Sequence, residues 1–215
     1  MASGAGAALA VACGACGGPS ARPAARPTET CAAERAHLGT VHGRGVPLVF
    51  LGDSYTAGVG APVPVLPEAV AAGLHRRVLI YGLPGAGFTA RSPACGLTLG
   101  AEAASLAPGP VIVQGGLNDE AAAPAVVAGA ASDLLTRLPD TVALVGPAEP
   151  SARDAHGVRI VDAVLRQVAA QHHVRYVSEL DALLPGHPDL VGPDARHPTA
   201  AGYAALAARV VAALR

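Results

Sequence analysis

At 215 residues and 21.1 kDa the chain is long enough for one domain with a complete core and a leader to spare. A formal net charge of −1 and an isoelectric point near 6.7 leave no basic field for nucleic acid or an anionic membrane. Hydrophobic residues make up 51% and mean hydropathy is +0.40, yet much of this is alanine, and no run of about 18 strongly apolar residues free of charge and proline suggests a spanning helix.

Residues 1–45 differ from the rest and read as a signal-like leader followed by a flexible linker. Ala7 to Ala12 suits the apolar region of an export signal, but a positively charged start is missing. Cys13 follows Leu9-Ala10-Val11-Ala12, a poor match to a lipid-attachment site, and Pro19 to Arg26 has linker composition. Two readings stand: a secreted or envelope-associated protein, which is preferred, and a cytoplasmic one with an uncleaved tail. Cys13 and Cys16 lack a second pair or a His-x-x-x-His run, so no metal is expected. Cys31 and Cys95 remain, and export makes a disulfide between them the natural expectation.

The domain itself is read as 46–215. Val46 to Leu51 is an apolar run ending in Gly-Asp-Ser, which suits a buried strand feeding a turn. A helix follows over 66–77, with Arg76 and Arg77 at its C-terminal end where the dipole favours cations. Further strands are predicted over 78–81, 111–114, 142–145 and 174–177. A helix is predicted over 121–138, and another where Ile160, Val161, Val164, Leu165 and Val168 share one face. The last helix starts near Thr199, with Tyr203, Leu206, Val210 and Leu214 on one stripe. Apolar strands separated by helices imply an α/β fold with a parallel sheet covered on both faces. In such sheets ligands sit at the carboxyl ends of the strands, where Ser54, Gly87 and Asn118 fall.

The chemistry lies in four short segments. Gly52-Asp53-Ser54-Tyr55 offers a hydroxyl nucleophile on a strand-to-helix turn, which needs a base to take its proton. The plain alternative is that Asp53 or Ser54 only caps the helix. Asp194-Ala195-Arg196-His197-Pro198 offers an imidazole base with a carboxylate three residues earlier, near enough to hold the other ring N–H. An isolated pair of this kind is more often a turn former and a loop histidine. His187 is the rival base and lacks such an aspartate. Gly85-Ala86-Gly87 and Gly116-Leu117-Asn118-Asp119 offer donors for a developing oxyanion, with an Asx turn as the alternative role of Asn118.

Taken in order and spacing, Gly52-Asp53-Ser54, Gly87, Gly116-Leu117-Asn118-Asp119 and Asp194-Ala195-Arg196-His197-Pro198 resemble the four blocks of the SGNH hydrolases, also called GDSL esterases/lipases. The resemblance covers about residues 46–215. Gly85 and Gly87 both fit the second block; Gly87 is preferred because Phe88-Thr89-Ala90-Arg91 follows it much as in that family's carbohydrate esterases.

The resemblance implies a flavodoxin-like three-layer α/β/α sandwich with about five parallel strands. It implies Ser54 as nucleophile, His197 as base, Asp194 as its orienter, and an oxyanion hole of the Ser54 and Gly87 amides and the Asn118 side chain. The expected activity is that of a cofactor-free serine esterase, a monomer acting on a small-molecule or glycan ester. Short acyl groups are favoured, because no apolar lid is evident and aromatics are only 3%. The alternatives are a thioesterase or lysophospholipase on the same scaffold, and a binding module for an acylated glycan. Arg196 departs from the pattern, a cation between Asp194 and His197 that either faces solvent or meets an anionic or polyhydroxyl substrate.

Overall fold

The computed structural model describes Met1, Cys31 and residues 46–60, 65–150, 153–183, 187 and 189–215; apart from Met1 and Cys31, the predicted leader and linker lie outside the described residues. Five strands form one sheet: β1 (Leu48–Gly52), β2 (Val78–Gly82), β3 (Val111–Gln114), β4 (Thr141–Ala148) and β5 (Arg175–Glu179). Their order is β2-β1-β3-β4-β5 and every pairing is parallel. The helices are α1 (Ser54–Ala57), α2 (Leu66–Gly73), α3 (Leu99–Glu102), α4 (Pro124–Arg137), α5 (Ala155–Gln171) and α6 (Ala200–Leu214).

The strand pattern explains the three layers. Every residue of β1 is buried, and successive side chains must point to opposite faces. Leu48 and Phe50 join Ile80, Ile112 and Val177 under α2 and α6, which contribute Leu66, Val70, Leu206 and Val210. Val49 and Leu51 join Val113 and Leu144 under α4 and α5, which contribute Val127, Leu134, Val161 and Leu165. The expected doubly covered parallel sheet is what the chain forms.

Element ends differ from the sequence reading for local reasons. Helix α2 stops at Gly73 rather than Arg77, because the chain turns at His75, with φ of 54°, to enter β2. Helix α4 begins at Pro124 rather than residue 121, since proline suits the first helical position, where no N–H is needed. Strand β4 runs on to Ala148 through Gly146-Pro147, and its register with β5 shifts between Val145 and Ala148, as a proline within a strand demands. The one-turn helices α1 and α3 carry too few residues to show a period.

In the 2-1-3-4-5 order the connections leave β1 in opposite directions, so a crevice opens between the carboxyl ends of β1 and β3. Ser54 follows β1 and Asn118 follows β3. Cys31 and Cys95 are joined by a disulfide, which ties a residue of the N-terminal segment to the loop after β2. Among the described residues, no helix is long and apolar enough to cross a membrane.

Candidate active site

Strand β1 delivers Ser54 at a tight turn. Asp53 caps α1, its Oδ1 accepting the Tyr55 N–H at 2.9 Å, and Gly58 ends the helix in the left-handed conformation. Ser54 is the first residue of that helix, and the first N–H groups of a helix have no partner within it. The Ser54 side chain borders a cleft of about 180 Å³, whose walls are Val59, Pro84, Gly85, Pro93, Asn118, Arg153, Arg196 and His197.

The segment before α6 folds into a closed turn. Gly192 N–H donates to the His197 carbonyl at 2.7 Å, Ala195 N–H to the Gly192 carbonyl at 2.9 Å, and Ala195 takes a φ of 54°. This brings Asp194 back onto His197. Asp194 Oδ1 accepts the Arg196 and His197 amides at 3.0 and 2.9 Å, and Oδ2 lies 2.6 Å from His197 Nδ1. The His197 amide above all, with the imidazole and the Arg196 amide, holds the Asp194 carboxyl down at about 2. An ionised carboxylate only accepts, so Nδ1 carries the hydrogen at this contact, and in the neutral imidazole Nε2 is then the acceptor. His187 is exposed, 3.9 Å from Asp189, and is not part of the cleft wall.

Tyr55 ties this loop to the nucleophile turn. Its hydroxyl donates to the Arg196 carbonyl at 2.7 Å, and its ring stands edge-on to His197 with centroids 6.1 Å apart. Burial, then the nearby Asp53 carboxyl, pushes the Tyr55 hydroxyl well above its ordinary range, so it stays a donor. Tyr203 packs edge-on to Tyr55 from behind and donates to the Val59 carbonyl at 2.9 Å.

The opposite wall is built from the loop after β2 and the residues after β3. Asp119, buried, accepts Phe88 N–H at 2.8 Å, Thr89 N–H at 2.8 Å, Thr89 Oγ1–H at 2.6 Å and Ala90 N–H at 3.0 Å. A Cβ at position 87 would run into this carboxylate, so glycine there makes room for the clamp. The Gly87 N–H itself donates to the Ala90 carbonyl at 3.0 Å. It is Gly85, turning the chain at φ of 76°, that borders the cleft.

Asn118 sits on a single 3-10 turn, Leu117–Asp119. Its Nδ2 donates to the Ala86 carbonyl at 2.8 Å and its Oδ1 accepts Arg153 Nη2 at 3.0 Å. A guanidinium has only donors and a carbonyl only accepts, so these two partners fix which end of the amide is which. Arg153 is held in turn by Glu120 Oε1 at 2.9 Å. The exposed Arg196 forms no ion pair among the described residues.

Beneath the site lie two buried carboxyls. Among the described residues, Asp53 Oδ2 and both oxygens of Glu179 have no hydrogen-bond partner. Burial is the main cause in each, pushing Asp53 up to about 6 and Glu179 up to about 8. Also among the described residues, no group of three His, Cys, Asp or Glu side chains is placed to hold a metal ion.

The structure therefore brings Ser54, His197 and Asn118 around one cleft, with Asp194 on His197, and Gly87 does not border it. Sequence reasoning missed Tyr55, Asp119 and Arg153. Asp119 stood in the Gly116-Leu117-Asn118-Asp119 segment without a role of its own; Arg153 carried no local signal.

Residues 50–205 match the model of the GDSL-like lipase/acylhydrolase family. Among solved structures, the fold is similar to a lipase/acylhydrolase from Enterococcus faecalis at 22% identity and a TM-score of 0.64, covering 78% of this chain and 94% of that one. It is also similar to Est24, a carbohydrate acetylesterase from Sinorhizobium meliloti, at 17% identity and a TM-score of 0.60, covering 78% and 97%. AlinE4, an SGNH-hydrolase family esterase, is similar at 23% identity and a TM-score of 0.58, covering 80% and 96%. No curated protein sequence matches the chain significantly.

Proposed function

The chain belongs to the GDSL-like lipase/acylhydrolase family, and from that premise we propose that it is a serine esterase cleaving short-chain or carbohydrate O-acyl esters through an acyl-enzyme. One observation carries the reading. Asp194 Oδ2 lies 2.6 Å from His197 Nδ1, and His197 and Ser54 border the same cleft.

In this mechanism Ser54 Oγ attacks the ester carbonyl carbon while His197 Nε2 takes the hydroxyl proton. The tetrahedral oxyanion is met by the Ser54 amide, the Gly85 amide and the second Nδ2–H of Asn118. We assign Gly85 rather than Gly87 because the Gly87 N–H is already engaged by Ala90. His197 then protonates the departing alcohol as the C–O bond breaks. Water, activated by the same imidazole, attacks the acyl-Ser54 ester and releases the acid, restoring Ser54.

A cleft of about 180 Å³ lies below the range of roughly 300–1,000 Å³ usual for drug-sized ligands, which supports a short acyl group over the long chain of a lysophospholipase. The Cys31–Cys95 disulfide supports export, since such bonds persist outside the reducing cytoplasm.

The test is labelling by a fluorophosphonate probe together with a panel of aryl esters from two to twelve carbons. Labelling lost in Ser54→Ala and the highest kcat/KM on two or four carbons are the expected results. An unlabelled protein points to a glycan-binding module, and a twelve-carbon optimum or preference for thioesters points to the alternative hydrolases.

A further inference from the structure

The Asn118 amide offers two N–H donors and a carbonyl oxygen that accepts, and one bond is made at each end. Ala86 takes one N–H, and the carbonyl end faces Arg153. The remaining N–H is the one a substrate oxyanion can use. An amide on a freely rotating χ2 would spread that donor over many directions; one gripped at both ends does not.

Arg153 is well suited to the grip. It arrives on the loop between β4 and α5, β4 being the neighbour of β3, and its side chain is 17% exposed. Glu120 Oε1 fixes Nη1 while Nη2 reaches Asn118 Oδ1, so the planar fork bridges two residues of the segment after β3. A cation on the carbonyl oxygen also draws electron density from the amide nitrogen, making the free N–H a stronger donor. Its charge further favours negative charge nearby: at Asp53, next to the nucleophile, where burial pushes the carboxyl up, the Arg153 cation is a small opposing influence.

We propose that Arg153 is a positioning residue of the oxyanion hole, acting on the reaction through the Asn118 amide. This rests on the esterase reading above. It assigns a catalytic consequence to a side chain outside the four sequence blocks.

The experiment is a double-mutant cycle with Arg153→Met and Asn118→Ala on a short-chain aryl ester, alongside Arg153→Lys. Arg153→Met is expected to lower kcat by about 10- to 100-fold with KM changed less than about twofold, because the lost orientation matters only once the oxyanion forms. In an Asn118→Ala background the same substitution should cost less than about threefold, the non-additivity expected of two residues serving one donor. Arg153→Lys should lie between, retaining charge without the fork. If Arg153→Met fails to fold, the Lys variant in both backgrounds carries the same cycle.

Additive losses in the two backgrounds would overturn the proposal, and so would a raised KM with unchanged kcat, which would make Arg153 a substrate-binding residue. Failure of the parent reading looks different: wild-type protein that neither hydrolyses esters nor labels with fluorophosphonate removes the premise itself.

Discussion

On the base side of the cleft, Asp194 and His197 are three residues apart, the carboxylate is about half exposed, and all but one of the bonds described there close within the same turn. On the oxyanion side, Asp119 reaches back about 30 residues to the loop after β2, Asn118 reaches 32, and Arg153 reaches 35. One half is a local motif that carries its own geometry. The other exists only when β2, β1, β3 and β4 lie side by side. Damage to the first should therefore fall on chemistry alone, and damage to the second on chemistry and stability together.

The largest effects test whether the halves meet at one reaction centre. Ser54→Ala and His197→Ala are each expected to lower kcat by roughly 10⁴–10⁶, while His187→Ala stays within about twofold. Steady-state kinetics and probe labelling measure this; a more damaging His187→Ala would reassign the base.

Asp194→Asn isolates the local half. Turnover should fall by about 10³–10⁴, because the imidazole loses its anionic partner, with Tm moved by less than about 2 °C, since the carboxylate is solvent-screened. A large fall in Tm would mean that this turn is not self-contained.

The long-range half is probed by a pair. Asn118→Ala should cost about 10²–10³ in kcat with KM nearly constant. Asp119→Asn replaces an acceptor of four hydrogen bonds by an amide that must present a donor to some of them. It should lower Tm by roughly 5–10 °C as well as slow turnover. Asp119→Asn with wild-type stability would erase the contrast between the two sides.

Tyr55→Phe removes the one described bond joining α1 to the base loop, the hydroxyl on the Arg196 carbonyl. A loss of about 3- to 10-fold in kcat is expected, the worth of one ordinary hydrogen bond. An unchanged kcat would show that packing against Tyr203 is enough to seat the base.

The smallest effect concerns pH, and its sign differs between exposed and buried carboxyls. Asp194 is ionised more readily folded than unfolded, so its contribution is present above its ordinary 3.8 and lost as pH falls toward about 2. Glu179 is the reverse. The folded chain holds its proton up to about 8 while an unfolded one releases it near 4.5, so stability declines as pH rises between those values. Thermal melts from pH 5 to 8 should show a Tm falling by a few degrees, and Glu179→Gln should flatten the slope. An equally steep slope in that variant would place the titration elsewhere, first of all at Asp53.

What was legible in the sequence was whatever repeats or closes over a short stretch of chain. Apolar strands and 3.6-residue stripes announce a doubly covered parallel sheet because burial on both faces leaves no polar position to spare. The Asp194-x-x-His197 spacing marks one turn, in which carboxylate and imidazole do meet. The N-terminal turn of α4 was misplaced by three residues because Ala121 to Ala123 have good helix propensity, while Pro124 sets the start. The wall opposite His197 had no such signature. Whether Gly85 or Gly87 faces the cleft depends on where Asp119 puts its carboxylate, which in turn depends on β3 lying beside β1. Tyr55 on the Arg196 carbonyl and Arg153 on Asn118 join residues 141 and 35 positions apart. Side-chain pairing at that range has no period along the chain. It is set by which strand ends the sheet brings together, and so it was decided by the tertiary structure alone.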